Sequence, residues 1–236
     1  MSVFPNIVRE YVQHVLLAAL YQLPGAEHLL FKGGTALRVV YGSPRFSEDL
    51  DFSLIPAVHN TIKSVVERLF VGALAEIERI GIRVELSEKS AATSGGYFGR
   101  ATFRIMEYPS VGVEINVSSR RAGTVSGEAD SIANDFVSTY TVIHLPQHDI
   151  VEEKIFSALR MRKKPRDFYD LYFMMRKGML SADQKKRLSK IQRDIMNTAK
   201  NIDFRAELGA FLPADQQAII RDFSGTLERE LNRQLV

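Results

Sequence analysis

The chain contains no cysteine, which excludes disulfide staples and thiolate chemistry outright and fits a protein of the reducing cytoplasm. Long hydrophobic runs are also missing. The most apolar stretch, Val15 to Tyr21, is too short to span a bilayer, follows Glu10, Gln13 and His14, and carries neither a basic leader nor a small-residue cleavage site. No membrane partner is expected, and the segment reads as an amphipathic first helix with Ile7, Tyr11, Val15, Leu16, Ala19 and Leu20 on one face. There is no internal repeat and no low-complexity tract. Gly33-Gly34 has no downstream Gly-Lys-Ser/Thr, so it is not a P-loop, and no Rossmann G-x-G-x-x-G is present. His144 and His148 have the spacing of a helical metal pair, but Pro146 lies between them and no third ligand is evident, so zinc is not expected.

What is present is the composition of a soluble globular chain, with 45% hydrophobic and 25% charged residues among 236. A chain this long buries roughly 70% of its unfolded surface and needs no covalent staple. The formal net charge is only +3, yet it is unevenly spread: from Leu145 onward 18 Lys and Arg face 13 Asp and Glu, while the preceding part is net negative. A basic half beside an acidic site suits a polyanionic substrate. The composition shift sets the expected boundary, with residues 1–145 as one domain and 146–236 as a helical second one.

Hydrophobic periodicity gives an α/β reading of the first part. A short strand over Glu27 to Phe31 leads into the Gly33-Gly34 turn and a helix over Thr35 to Tyr41, which Gly42, Ser43 and Pro44 break. A long helix is expected over His59 to Ile80, then strands at Ile82 to Leu86, Tyr97 to Tyr108, Val111 to Ser118 and Thr139 to Leu145. Ser90 to Gly96 reads as a turn-rich connection and Ser119 to Gly127, with Arg120 and Arg121, as a polar loop. Beyond that the chain is helical to its end, over Asp149 to Met161, Pro165 to Arg176, Ser181 to Thr198 and Asp215 to Leu235.

The chemistry concentrates in Phe31 to Leu54, FKGGTALRVVYGSPRFSEDLDFSL. A Gly-Gly-Thr turn opening a helix can present backbone N–H groups to phosphate oxygens. If Glu48 to Leu54 is a strand, Asp49 and Asp51 share one face while Leu50, Phe52 and Leu54 take the other. In VGVEINV, Val111, Val113, Ile115 and Val117 line one side of a strand, leaving Gly112, Glu114 and Asn116 opposite. Glu114 becomes a third carboxylate for the same site if the two strands are neighbours. Three carboxylates beside a phosphate turn are the parts of a metal-assisted displacement, with two Mg²⁺ ions about 3.5 to 4 Å apart. The competing reading is that these acids are solvated residues of an outer strand face.

In the second part, Lys154 lies beside the apolar stripe of its helix, where a lysine either snorkels to water or takes an anion. Asp167 follows Pro165 in a first helical turn, where a negative charge favours the dipole. Asp170 lies partly on the packed face and calls for a partner such as Lys154 or Arg166. Arg160, Arg162, Lys163, Lys164 and Arg166 form a basic cluster that serves either as a solvated helix end or as a contact for nucleic acid or triphosphate.

Gly34-Thr35, the 13-residue spacing to Asp49-Leu50-Asp51, and Glu114 resemble the pattern of DNA polymerase β-type nucleotidyltransferases. The strings K-G-G-T-A-L and R-F-S-E-D-L-D-F, with EEKIFSALRMRKKPRDFYDLYFM downstream, are similar to the AbiEii/AbiGii nucleotidyltransferase toxins. The resemblance implies a nucleotidyltransferase core with a mixed sheet flanked by helices, followed by a helical part. It implies an NTP substrate and Mg²⁺, with Lys32, Gly33, Gly34 and Thr35 at the phosphates. Asp49, Asp51 and Glu114 would hold metal, Glu114 alternatively deprotonating the acceptor. Lys154 would neutralise triphosphate charge, and Asp167 and Asp170 would complete the site. Relatives act as toxins restrained by an antitoxin, several on the 3′ end of tRNA. Nucleotidylation of a protein or small molecule, and non-catalytic nucleotide or nucleic-acid binding, stay open as alternatives.

Overall fold

The computed structural model describes residues 4–55, 62–87, 91–93, 96–119 and 125–235. His59, Ser90, Arg120 and Arg121 lie outside them. Two compact units make up the chain: one holds residues up to Gly42 with Phe46–Pro146, and the other holds Ser43–Arg45 with everything from Gln147 on.

The first unit is built in the order α1 (Phe4–Leu20), β1 (Leu29–Lys32), α2 (Gly33–Val39), β2 (Leu50–Leu54), α3 (Ile62–Arg79), β3 (Arg83–Leu86), β4 (Ala91–Thr93), β5 (Gly96–Arg104), β6 (Val111–Ser119), β7 (Glu128–Ile132) and β8 (Tyr140–His144). The strands form one mixed sheet in the order β3-β5-β6-β2-β1-β8-β7, with β4 paired to β5. The pairs β2–β6 and β1–β8 are parallel and the rest antiparallel. One face is apolar. Phe31, Phe52, Val113, Ile115 and Val117 are buried there with Val12, Leu16 and Leu20 of α1 and Val66, Leu69, Phe70 and Ala73 of α3. The Phe52 ring stands 5.5 Å from Phe31 and 5.6 Å from Phe70; each fully buried phenylalanine contributes about 1.5–3 kcal/mol of transfer free energy. Among the described residues no helix is long and apolar enough to cross a membrane.

Four elements of this unit depart from the expected pattern. The strand expected through Tyr108 ends at Arg104. The strand expected from Glu48 starts at Leu50, so Asp49 immediately precedes it. The sequence pattern marks neither strand nor helix at β7, because EADSI has no apolar alternation: its first four residues are exposed, as an edge strand allows. β4 occupies part of the connection read as a turn.

The second unit contains α4 (Gln147–Val151), a π-helix over Glu152–Leu159, α5 (Arg160–Arg162), α6 (Pro165–Arg176), α7 (Ala182–Ala199), α8 (Phe204–Phe211), a 3-10 helix over Ala214–Asp222 and α9 (Phe223–Gln234). Sequence periodicity reads the stretch through Met161 as ordinary α-helix, whereas eight of its residues take the wider i→i+5 winding. The first of them, Glu152, is tied to α7 by a two-pronged pair with Arg187 (2.8 and 3.0 Å) and by the Gln184 amide (3.0 Å). Ser181 and Gln184 cap α7 reciprocally. Aromatic rings fill the unit's centre, with Phe204 4.6 Å from Phe223 and 5.9 Å from Phe168.

Candidate functional site

In the sheet unit the site grows from the junction of β1 and α2. The strand ends at Lys32 and the helix starts at Gly33 with no intervening loop. Gly33 takes φ +83°, a conformation that L side chains rarely adopt, and a Cβ there would lie 2.8 Å from both Cβ and Cγ of Asp51. Glycine is therefore required twice over, by backbone conformation and by the closeness of the carboxylate.

Antiparallel pairing sets Lys32 opposite Asp51, and parallel pairing sets Asp51 opposite Asn116. These residues share the sheet face opposite the apolar core. Asn116 Nδ2 donates to Asp51 Oδ1 at 3.2 Å, and Lys32 Nζ donates to Ser118 Oγ at 2.9 Å. Thr35 is fully buried, and its hydroxyl donates to the backbone carbonyl of Asp49. Its side chain thus secures the segment leading into β2, so what Thr35 can offer a phosphate is its backbone N–H.

β6 is the direct neighbour of β2, and continuing their parallel register one step before Leu50 and Ile115 leads from Asp49 to Glu114. Glu114 alternates with buried Val113 and Ile115, as its pattern requires. Its carboxylate lies 3.7 Å from Nη1 of Arg100, its cross-strand partner on β5, with both side chains partly exposed. An exposed pair of this kind contributes about 0–1 kcal/mol and is easily exchanged. Among the described residues no three His, Cys, Asp or Glu side chains are gathered closely enough to hold a metal ion. Asp49 and Asp51 nevertheless carry the hard carboxylate oxygens that suit Mg²⁺, and the missing Cβ at Gly33 leaves the place that the Asp51 carboxylate itself takes. Glu114 would join them only on leaving Arg100.

In the helical unit Asp170 is completely buried and accepts from Arg45 Nε at 2.9 Å, Arg45 Nη2 at 3.1 Å and Lys154 Nζ at 2.8 Å. Burial alone would raise the Asp170 pKa, but Arg45 and Lys154 outweigh it and hold the carboxyl below its ordinary value. Lys154 does not snorkel: its side chain is only 11% exposed. The sequence calls for a lysine or arginine beside Asp170, and Lys154 is one of its partners. Arg166 instead faces Glu207 at 3.3 Å. The second partner, Arg45, escapes sequence reasoning. It lies 125 residues away along the chain, and nothing in local spacing points to it.

Asp167 has both oxygens committed, Oδ1 to Arg162 (2.5 Å) and Oδ2 to the Lys164 backbone N–H (3.2 Å). It caps α6, as its place behind Pro165 allows.

A family model described as nucleotidyl transferase AbiEii toxin, type IV TA system, matches residues 15–232. Two solved Helicobacter pylori structures share the fold. A candidate nucleotidyltransferase is 20% identical with a TM-score of 0.58, the alignment covering 96% of each chain. The protein JHP933 is also 20% identical at a TM-score of 0.58, over 97% of this chain and 94% of that one. A search of curated proteins returned no match.

Proposed function

The chain belongs to the AbiEii nucleotidyltransferase toxin family of type IV toxin–antitoxin systems, and from that premise we propose that it transfers a nucleoside monophosphate from an NTP to the 3′-terminal hydroxyl of tRNA. The observation that carries the reading is the approach of Gly33 to Asp51, which sets the glycine turn at the start of α2 directly against a carboxylate.

In the proposed reaction the acceptor oxygen attacks the α-phosphorus. A new P–O bond forms, the bond from that phosphorus to the bridging oxygen breaks, and pyrophosphate leaves with the electron pair. The first N–H groups of α2 have no acceptor inside the helix, so Gly33, Gly34 and Thr35 are assigned to the triphosphate oxygens with Lys32 beside them. Asp49 and Asp51 are assigned to a divalent cation, with Glu114 as third carboxylate or as the base that takes the acceptor proton. Bound there, Mg²⁺ would supply charge neutralisation for the phosphates and orient the reacting oxygens. Lys154 is assigned to triphosphate charge, with Asp170 fixing its ammonium, and Asp167 acts by capping α6.

The tRNA acceptor is supported by the basic excess from Leu145 onward, since phosphate contacts supply sequence-independent affinity. A toxin of this family implies an antitoxin that restrains it. Incubating the protein with each labelled NTP, Mg²⁺, total tRNA and total cell protein tests the proposal: label in tRNA supports it, and label confined to protein overturns the acceptor assignment.

A further inference from the structure

We propose that the helical unit carries a separate pocket for one unstacked nucleotide, formed where the end of the Glu152–Arg162 helical run faces α6 and α7. The choice of a nucleotide over other planar anions rests on the transferase reading. The pocket itself shares no residue with the site assigned above.

A cavity of about 230 Å³ opens between these elements. Its floor is apolar, made by Leu159, Phe168 and Ile195, each less than 10% exposed. Arg160, Lys163 and Asp194 also line it, and all three are exposed. None of the three has an ion-pair partner among the described residues, although Arg162, Arg166, Arg187, Lys200, Arg229 and Arg233 of the same unit are all paired. Two cations and a carboxylate therefore border one hollow without neutralising one another. Lys163 takes φ +51°, an uncommon conformation for a lysine, directly at the rim.

That combination matches the parts of a nucleotide. The flat apolar face of a base suits the Leu159–Phe168–Ile195 floor, and the hollow has room for a single base. A phosphate suits Arg160 and Lys163, whose charges are unspent. Asp194 would repel the phosphate, which orients the ligand: its carboxylate suits the amino groups on a base edge, the geometry by which proteins read bases splayed from single-stranded RNA. A duplex keeps its bases stacked and cannot offer one to a hollow of this shape.

The test is fluorescence anisotropy of the full chain with a labelled single-stranded RNA pentanucleotide, a duplex of the same length, and mononucleotides as competitors, over a salt series. Thr198→Trp fills the cavity without altering charge and is expected to weaken single-strand binding at least about tenfold while leaving duplex binding unchanged. Arg160→Ala with Lys163→Ala is expected to lower the slope of log affinity against log salt by about 0.7 for each phosphate that is no longer neutralised. Competition by a mononucleotide identifies a free nucleotide as the occupant. Competition by the oligonucleotide alone identifies a strand end. Both support the pocket. Equal loss of single-strand and duplex binding in the charge variant, with Thr198→Trp unaffected, overturns it and leaves only a basic surface. Repeating the measurement on Asp51→Asn separates the two readings: retained binding with lost transfer upholds the pocket independently of catalysis, and unaltered transfer counts against the proposed active site alone.

Discussion

Gly33 and Asp51 stand so close that a Cβ on residue 33 would lie 2.8 Å from both Cβ and Cγ of Asp51 and closer still to its Oδ2. Two constraints coincide at this glycine, positive φ and the neighbouring carboxylate. Gly33→Ala should cost about 1–2 kcal/mol from backbone strain alone, lowering the thermal midpoint by about 2–8 °C. Because the substitution also displaces Asp51, transfer should fall about 100-fold. Circular dichroism melts and a transfer assay measure the two effects. Full activity in a destabilised Gly33→Ala protein would show that the Asp51 position is not critical.

The Arg45–Asp170–Lys154 cluster predicts a large and non-additive stability effect. Removing Asp170 leaves two buried cations without their shared carboxylate, and breaking such a buried pair costs about 3–5 kcal/mol. Asp170→Ala with Arg45→Ala should cost less than the sum of the two single changes, since part of each penalty is the stranded partner. Urea titrations of the single and double variants measure this. The sign with pH follows from the depressed Asp170 pKa. Its contribution is fully present above the unfolded value of about 3.9 and is lost as pH falls through the lower folded value, so wild type and Asp170→Asn should converge in acid.

His14 gives a second pH signature. Burial lowers its pKa, with Arg38 adding to that and Glu10 opposing it, and its Nδ1 is 2.7 Å from the Tyr140 hydroxyl. The unfolded chain therefore takes up this proton before the folded one. Stability should decline as pH falls below about 6.5, and His14→Gln should flatten that decline. Equal slopes for the two proteins across the range from neutral to mildly acidic pH would contradict the assignment.

Glu114 separates a catalytic carboxylate from a surface ion pair. Among the described residues it pairs with Arg100 at 3.7 Å, the two side chains 40% and 54% exposed, so Glu114→Gln should change stability by less than about 1 kcal/mol. As a third carboxylate it should still reduce transfer about 100-fold or more, whereas Arg100→Ala should not. Matching small effects of both substitutions on transfer would return Glu114 to a surface role.

Much of this is legible in the sequence because alternation and turn chemistry are local. The VGVEINV pattern separates the inward valines from the outward Glu114, and β6 has that alternation. The glycine turn and the paired aspartates are likewise visible within one stretch. What stays hidden depends on partners distant along the chain. Arg45 meets Asp170 across 125 residues, and the Thr35 hydroxyl is drawn to a backbone carbonyl, which carries no side-chain signal. β7 lacks a buried face and so shows no period. The π-helix around Lys154 has the apolar content of an ordinary helix, and only its hydrogen bonding distinguishes it.

The most direct test of the central claim is a transfer assay with labelled NTPs, purified tRNA and Mg²⁺, comparing wild type with Asp49→Asn/Asp51→Asn. The expected result is label added to the tRNA 3′ end by wild type, abolished in the double variant and by chelation of the metal. Undiminished labelling by the double variant would contradict the account.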